Sequence, residues 1–209
     1  MGADMVEMDL HLTRDGEIVI MHDFQLRRTT DGRGRIEDLE YSQIKEFHER
    51  NNEQIPTLDQ VIRKTKGRIG LYCELKSFGI EGSFINTIEK HNYHSKVIAG
   101  GFLHPVVKAV KDKSKKIKTS IMVGEVPIDV VEMAKDARAD YVHFCWEGRS
   151  AHPYELVTAE YIKRVKKAGL GVLIWHEEHV IPMRHLFALD IDGICSNKPD
   201  VVAKELARF

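Results

Sequence analysis

The sequence predicts an α/β fold of the TIM-barrel type, in which parallel strands alternate with helices. Short β-rich runs alternate with amphipathic helical runs along the chain, and units of this kind build parallel sheets. Several strand-like runs are almost continuously apolar, as expected when helices cover one face of a sheet and a packed interior covers the other. A length of 209 residues, with 43% apolar and 30% charged content, suffices for one large core. We therefore expect a single domain over residues 1–209.

Seven runs have the character of parallel strands, because each is rich in apolar or β-branched residues and lies between polar or Gly-containing segments. A closed (β/α)₈ barrel has eight strands and typically about 250 residues. We therefore expect seven of the eight barrel strands, with the first βα unit missing. The seven runs occupy residues 5–10, 68–75, 96–101, 117–123, 141–144, 171–176 and 192–196.

Helical spacing of apolar residues occurs in the segments between these strands. The predicted helices lie in residues 57–66, 82–91, 105–113, 127–137, 158–169 and 181–190, and the chain ends in a further helical segment, 199–209.

Two segments fall outside the strand–helix repeat. Residues 17–21 form an additional strand, joined to the first through Asp15-Gly16, which is a hairpin turn signal, so we expect an antiparallel ribbon there. Residues 25–57 are polar and contain glycine, with one short helical stretch near Ser42 to Glu49. They predict a small insertion after the second strand, over one mouth of the fold.

Composition and charge exclude several classes of partner. The formal net charge is −1, and the basic run at 111–118 has the pattern of a solvated helix end, so we expect no nucleic-acid partner. No apolar run approaches the roughly 20 residues of a membrane span. The three cysteines, Cys73, Cys145 and Cys195, show no metal or redox spacing, which favours buried free thiols and a cytoplasmic location.

Two pairs of charged residues lie at strand ends. Glu7 and Asp9 are two residues apart, as are Glu74 and Lys76, so the members of each pair point to the same face of their strand. The carboxyl ends of barrel strands carry the active sites of this fold. Three converging carboxylates would suit a hard divalent cation such as Ca²⁺ or Mg²⁺. The alternative is that these acids are salt-bridge partners of Lys76 or Arg14.

Three further side chains are candidates for the same site. His22 follows the apolar run IVIM and precedes Asp23, where it could act as a general acid or base, although a structural role is the alternative. Lys76 would supply positive charge to a phosphate or balance the acids. Trp175 ends a strand near the rim and would wall a substrate cleft or serve in packing.

A set of spaced motifs resembles the glycerophosphodiester phosphodiesterase family. The set comprises E-x-D in GADMVEMDLHL, H-D in VIMHD, R-x-T-D-G-x-G in RRTTDGRG and E-x-K in LYCELK, and IPTLDQVI, GVLIW and DGICSNKPD also match. The resemblance runs from the second residue to the last helix. It implies a (β/α)₈ barrel of the phospholipase C-like phosphodiesterase type with a small insertion.

The resemblance also implies the chemistry of the site. One divalent cation, Ca²⁺ or Mg²⁺, would be held by Glu7, Asp9 and Glu74, with His22 as general acid or base and Lys76 as the partner of the phosphate charge. The substrate would be a small glycerophosphodiester, hydrolysed to sn-glycerol 3-phosphate and an alcohol.

Two family motifs are absent from these 209 residues, namely a strand ending in His-Arg-Gly and a helix opening with Glu-Asn-Thr. In the family they precede the part matched here and carry a second catalytic histidine, a phosphate-binding arginine and a further acidic residue. We therefore expect an N-terminally truncated barrel, impaired activity, and an open edge where a second copy or a partner could pair.

Two other functions are consistent with the same residues. The first is a non-catalytic phosphate-binding or regulatory module built on the incomplete barrel. The second is a lysophospholipase D-like phosphodiesterase, which would need an apolar groove near Trp175 for its lipid substrate.

Overall fold

Eight strands form one curled sheet in the computed structural model of the chain, which describes residues 1–124, 129–145 and 152–209. The order in the sheet is β2-β1-β3-β4-β5-β6-β7-β8. All neighbours pair in parallel except β1 and β2. The strands are β1 Met5–Leu12, β2 Ile18–Ile20, β3 Gly70–Leu75, β4 Val97–Gly101, β5 Lys118–Val123, β6 Tyr141–Cys145, β7 Gly171–Trp175 and β8 Gly193–Ile194.

The helices follow the strands in the order that the sequence predicts. Their starts are fixed by local signals such as the capping box at Thr57, whose hydroxyl accepts a hydrogen bond from Gln60 N at 3.2 Å. The described α-helices are α1 Tyr41–Ile44, α2 Leu58–Thr65, α3 Glu81–Lys90, α4 His104–Lys113, α5 Val130–Asp136, α6 Ala159–Lys167, α7 Val180–Phe187 and α8 Pro199–Leu206. Residues 127 and 128 of the predicted helix 127–137 lie outside the described residues. None of the described helices is long and apolar enough to cross a membrane.

The prediction of seven parallel strands in the order of the chain is confirmed. The last is shorter than predicted, since β8 has two residues and pairs with β7 at Leu173↔Gly193 and Ile174↔Ile194. Within the described residues, β8 pairs only with β7, and the first half of β1 pairs only with β3. The parallel strands therefore form a half-barrel with open edges at β8 and β1.

The predicted antiparallel ribbon and the predicted insertion are both present beside β1. β1 pairs with β2 from Leu10↔Ile20 to Leu12↔Ile18, and the turn uses Gly16 at φ +85°. The predicted helix near Ser42 to Glu49 is reduced to α1. The insertion has its own small apolar core, formed by Val19, Met21, Leu26, Ile36, Ile44 and Ile55.

The cysteines differ from the expectation of three buried thiols. Cys73 on β3 is fully buried, whereas Cys145 and Cys195 are partly exposed because they lie at the rim, where their strands end. None of the three forms a disulfide.

A buried histidine lies in the interior of the half-barrel. His143 on β6 is 3% exposed, and its ring packs edge-on against Tyr72 at a centroid distance of 4.9 Å. Neither ring nitrogen has a hydrogen-bond partner of good geometry within the described residues. Burial lowers the pKa of His143 to about 3, and a weaker contact with the backbone of Ile174 opposes the shift.

This burial predicts acid sensitivity of the fold. The folded pKa of His143 is lower than the unfolded value, so its contribution to stability is present above about pH 6.5 and is lost as the pH falls toward 3. The loss at pH 5 should be about 2 kcal/mol. We expect His143→Leu to unfold in urea with a smaller difference between pH 7.5 and pH 5 than the wild type. The exposed His185 is the matched control, and an equal effect of His185→Leu would contradict the assignment.

Candidate active site

Three carboxylates converge at the carboxyl ends of β1 and β3. The parallel register places Asp9 beside Glu74 and Glu7 beside Tyr72, so alternation along the strands turns Glu7 and Asp9 to the same side as Glu74. One oxygen from each carboxylate lies within 4.8 Å of the other two. The convergence that the spacing predicts is therefore present.

Lys76 balances two of these acids. The backbone N–H of Lys76 donates to Leu10 O at 3.0 Å, which extends the ladder beyond β3. Its Nζ lies 3.1 Å from Asp9 Oδ1 and 2.9 Å from Glu74 Oε1. The counter-charge role that the sequence left open for Lys76 is thus formed, whereas Arg14 pairs with Glu40 instead.

Glu7 is left without compensation. Its Oε1 is buried and has no hydrogen-bond partner within the described residues. Burial, together with the nearby charges of Asp9 and Glu74, raises the pKa of Glu7 to about 8, although Lys76 acts in the opposite direction. Burial also raises the pKa of Glu74, against the effect of Lys76.

This arrangement fits a divalent cation. Three carboxylates face a single ammonium group, and carboxylate oxygens are the ligands that Ca²⁺ and Mg²⁺ prefer. An unpartnered, partly buried oxygen on Glu7 is costly unless a cation or a proton occupies it. The described residues that could hold such an ion are therefore Glu7, Asp9 and Glu74.

The backbone of His22 lies close to β1, and its ring is oriented by Asp23. The N–H of Met21 donates to Asp9 O at 3.0 Å, which brings the following residue close to the end of β1. The Nδ1 of His22 lies 2.8 Å from Asp23 Oδ1, while the imidazole is 68% exposed. Arg28 also pairs with Asp23, and the two partners hold the pKa of that carboxyl far below its usual value. The His22 ring is therefore anchored on one side and open to solvent on the other.

His11 is a neighbour of the site that the sequence reasoning missed. It lies two residues beyond Asp9 on β1 and is 1% exposed. Burial lowers its pKa, and its Nε2 lies 3.4 Å from His22 O. The strand alternation that relates Glu7 to Asp9 also reaches His11, and it could have identified this residue.

Trp175 is the last residue of β7, at the same rim as the carboxylates but across the half-barrel from β1 and β3. It is half-buried, and its ring lies 6.2 Å from that of His143 and 5.6 Å from that of His176. The structure brings Glu7, Asp9, Glu74 and Lys76 into one group. His22 joins it through its backbone, which lies close to His11 of β1, and Trp175 lies on a different strand of the sheet.

Known proteins resemble this chain in sequence and in fold. A glycerophosphodiester phosphodiesterase of Caldanaerobacter subterraneus is 28% identical over 97% of this chain and 85% of its own length. The solved structure of an Oleispira antarctica phosphodiesterase in complex with sn-glycerol-3-phosphate has a TM-score of 0.84 at 23% identity, over 99% of this chain and 86% of that one. A glycerophosphodiester phosphodiesterase of Parabacteroides distasonis has a TM-score of 0.83 at 22% identity, over 99% and 85% of the two chains.

These likenesses confirm the predicted barrel fold. The family model described as "Glycerophosphoryl diester phosphodiesterase family" matches residues 1–201, which is almost the whole chain. The chain therefore belongs to the glycerophosphoryl diester phosphodiesterase family, which consists of phosphoric diester hydrolases.

Proposed function

We propose that residues 1–209 act as a single domain, with 25–57 inserted in it, that hydrolyses glycerophosphodiesters to sn-glycerol 3-phosphate and an alcohol. Glu7, Asp9 and Glu74 would hold one divalent cation, Ca²⁺ or Mg²⁺. The observation that carries the proposal is the convergence of three carboxylates in a member of this family. Two of them pair with Lys76, and one oxygen of the third, Glu7, has no hydrogen-bond partner within the described residues. When bound, the cation supplies positive charge that polarises the phosphodiester.

Lys76 would pair with the phosphate of the substrate as well as with the carboxylates. Its ammonium group is 17% exposed and lies between Asp9 and Glu74. A cation held by these two carboxylates would compete for them, so that Lys76 could direct its charge toward the phosphate oxygens. Trp175 would wall the opposite side of the substrate cleft.

His22 would move a proton at its Nε2. Asp23 accepts a hydrogen bond from Nδ1–H in the tautomer that leaves Nε2 unprotonated, and this contact fixes the direction of the ring. The exposure of the imidazole keeps Nε2 accessible to water and to a leaving alcohol. His22 is therefore the general acid or base of the proposed reaction.

The test of the proposal is cation-dependent release of sn-glycerol 3-phosphate from glycerophosphocholine. Purified protein is treated with a chelator and then supplied with Mg²⁺, Ca²⁺ or neither. We expect release only when a divalent cation is restored. Equal release in the chelated sample would contradict the metal role, and binding of cation and phosphate without release would favour the non-catalytic module.

The turnover of the 209-residue chain should be slow. The family resemblance implies two histidines that transfer protons, and the described site contains only His22 in a matching motif. Loss of one proton-transfer group costs on the order of 10² to 10⁴ in rate. We expect kcat to be lower by this factor than that of the Caldanaerobacter relative assayed in parallel, and equal rates would contradict the expectation.

A further inference from the structure

Three large apolar side chains are exposed around the mouth of the proposed site. Phe24, Phe78 and Phe102 are 50%, 70% and 51% exposed, although phenylalanine is usually buried. Single exposed apolar residues are common on protein surfaces, whereas a group beside a functional site indicates an interaction.

Each of these rings is tied to the acidic group by a contact or by chain position. Phe24 packs edge-on against His11 at 4.8 Å, directly beyond Asp9 on the inner face of β1. Phe78 follows Lys76 by two residues, and the intervening Ser77 accepts a hydrogen bond from Leu12 N at 3.1 Å.

Phe102 reaches the same rim from β4. It follows Gly101, the last residue of that strand. A Cβ on Gly101 would lie 3.1 Å from Leu75 O and 3.8 Å from Glu74 Cγ, so the backbone there runs directly alongside the acidic strand end. Phe24 therefore lies against β1, while Phe78 and Phe102 follow the ends of β3 and β4, and we name Phe24, Phe78 and Phe102 the phenylalanine rim.

We propose that the phenylalanine rim binds the apolar chain of the substrate, so that the preferred substrates are glycerophosphodiesters that keep one acyl chain. The inference rests on the proposed function, because it takes the acidic group as the place where the phosphodiester reacts. For a lysophosphatidylcholine, the oxygen of water forms a bond to phosphorus and the bond from phosphorus to the choline oxygen breaks. That oxygen takes up a proton, which gives choline and an acylglycerol phosphate.

The position of the phenylalanine rim indicates that its ligand is amphiphilic. A phosphate beside Lys76 would lie next to the rings, so one molecule with a charged head and an apolar tail matches both features. Phe24 contacts β1, and Phe78 and Phe102 follow β3 and β4. Neighbouring strands are about 4.8 Å apart, so the rim spans roughly 10 Å, which suits an extended chain. Glycerophosphocholine is polar on both sides of its phosphate and would leave the rings in water.

The experiment compares glycerophosphocholine with hexanoyl, octanoyl and decanoyl lysophosphatidylcholine, all below their critical micelle concentrations. Each added methylene should raise kcat/KM by about two- to fourfold in the wild type. A rate independent of chain length would overturn the proposal. A rise that appears only above the micelle concentration would also overturn it, in favour of a lipid surface as the occupant.

Variants test whether the rim is responsible. Phe78→Ser/Phe102→Ser should lower the ratio of kcat/KM for the octanoyl substrate to that for glycerophosphocholine by about tenfold. The matched control is Phe209→Ser, because Phe209 is 66% exposed and packs on Phe187, where α7 and α8 end away from the rim. The control should keep the wild-type ratio, and an equal fall in both proteins would overturn the proposal.

Binding without turnover separates the rim from the proposed reaction. Calorimetry with monomeric octylphosphocholine should show binding to the wild type and at least about tenfold weaker binding to the double variant. Binding without hydrolysis of any diester would uphold the rim and refute the proposed function. Hydrolysis of glycerophosphocholine without binding of octylphosphocholine would refute the rim and uphold the proposed function.

Discussion

Replacing Glu7 with glutamine is expected to stabilise the metal-free fold and, at the same time, to abolish tight binding of a divalent cation. The carboxyl of Glu7 is buried beside Asp9 and Glu74, and its pKa is raised to about 8. A neutral amide of similar shape removes the repulsion among the three acids. The same change deletes one of the three oxygen ligands of the proposed cation.

The size of this stability effect depends on pH. Because the folded pKa of Glu7 lies above the unfolded value, its contribution is most favourable below about pH 4.5 and is lost as the pH rises through about 8. In a chelated sample, we expect Glu7→Gln to exceed the wild type by on the order of 2 kcal/mol in free energy of unfolding at pH 8, after allowance for solvent screening. The difference should shrink toward pH 5.

The substitution should also weaken the binding of the cation strongly. Losing a residue that only orients a ligand costs about 10- to 100-fold in affinity, so losing the ligand itself should cost more than about 100-fold. Titration calorimetry with Ca²⁺ and with Mg²⁺ measures this loss, and hydrolysis of glycerophosphocholine should fall with it. A variant that binds the cation like the wild type would remove Glu7 from the ligand set.

Glu205 is the matched control for this substitution. It is a buried glutamate, at 4% exposure, but Arg184 and Arg208 each approach one of its oxygens to 2.6 Å. Glu205→Gln should therefore destabilise the fold, because it removes the charge that both arginines face. Cation binding should be unchanged. If the two glutamine variants shift stability in the same direction, the assigned electrostatic role of Glu7 is wrong.

The sequence predicted the framework of the site because strand periodicity is a local property. A side-chain period of two places Glu7 with Asp9, and parallel strands end at the same rim, so Glu74 had to lie near them. The count of seven parallel strands followed from the same patterns. The two-residue length of β8 did not, because it depends on where the chain leaves β7.

The sequence could not decide features that depend on contacts between distant segments. Lys76 was equally consistent with a phosphate partner and a counter-charge until its distances to Asp9 and Glu74 were known. The exposure of Phe78 and Phe102 depends on how far each chain projects beyond its strand, which composition does not encode. Trp175 ends β7, as the pattern predicted, but its distance from the acids depends on the curvature of the sheet, which the sequence does not encode.

Replacing His22 with asparagine is expected to lower kcat without affecting the cation. The imidazole of His22 is exposed and anchored by the Asp23 carboxylate, and asparagine cannot transfer a proton near neutral pH. The loss in kcat should be on the order of 10² to 10⁴. Calorimetry should give the wild-type affinity for Ca²⁺ or Mg²⁺, because His22 is not among the three grouped acidic ligands.

His179 provides a control with nearly the same local chemistry. Its Nδ1 lies 3.0 Å from Glu177 Oε1, and its side chain is 82% exposed, so both histidines are exposed rings held by a carboxylate close in sequence. They differ in position, because His179 precedes α7, whereas His22 follows the residue that hydrogen-bonds to Asp9. If His179→Asn lowers kcat as much as His22→Asn does, proximity to the acidic group is not what makes His22 reactive. A loss confined to His22→Asn, with cation binding retained, would separate proton transfer from metal binding in this site.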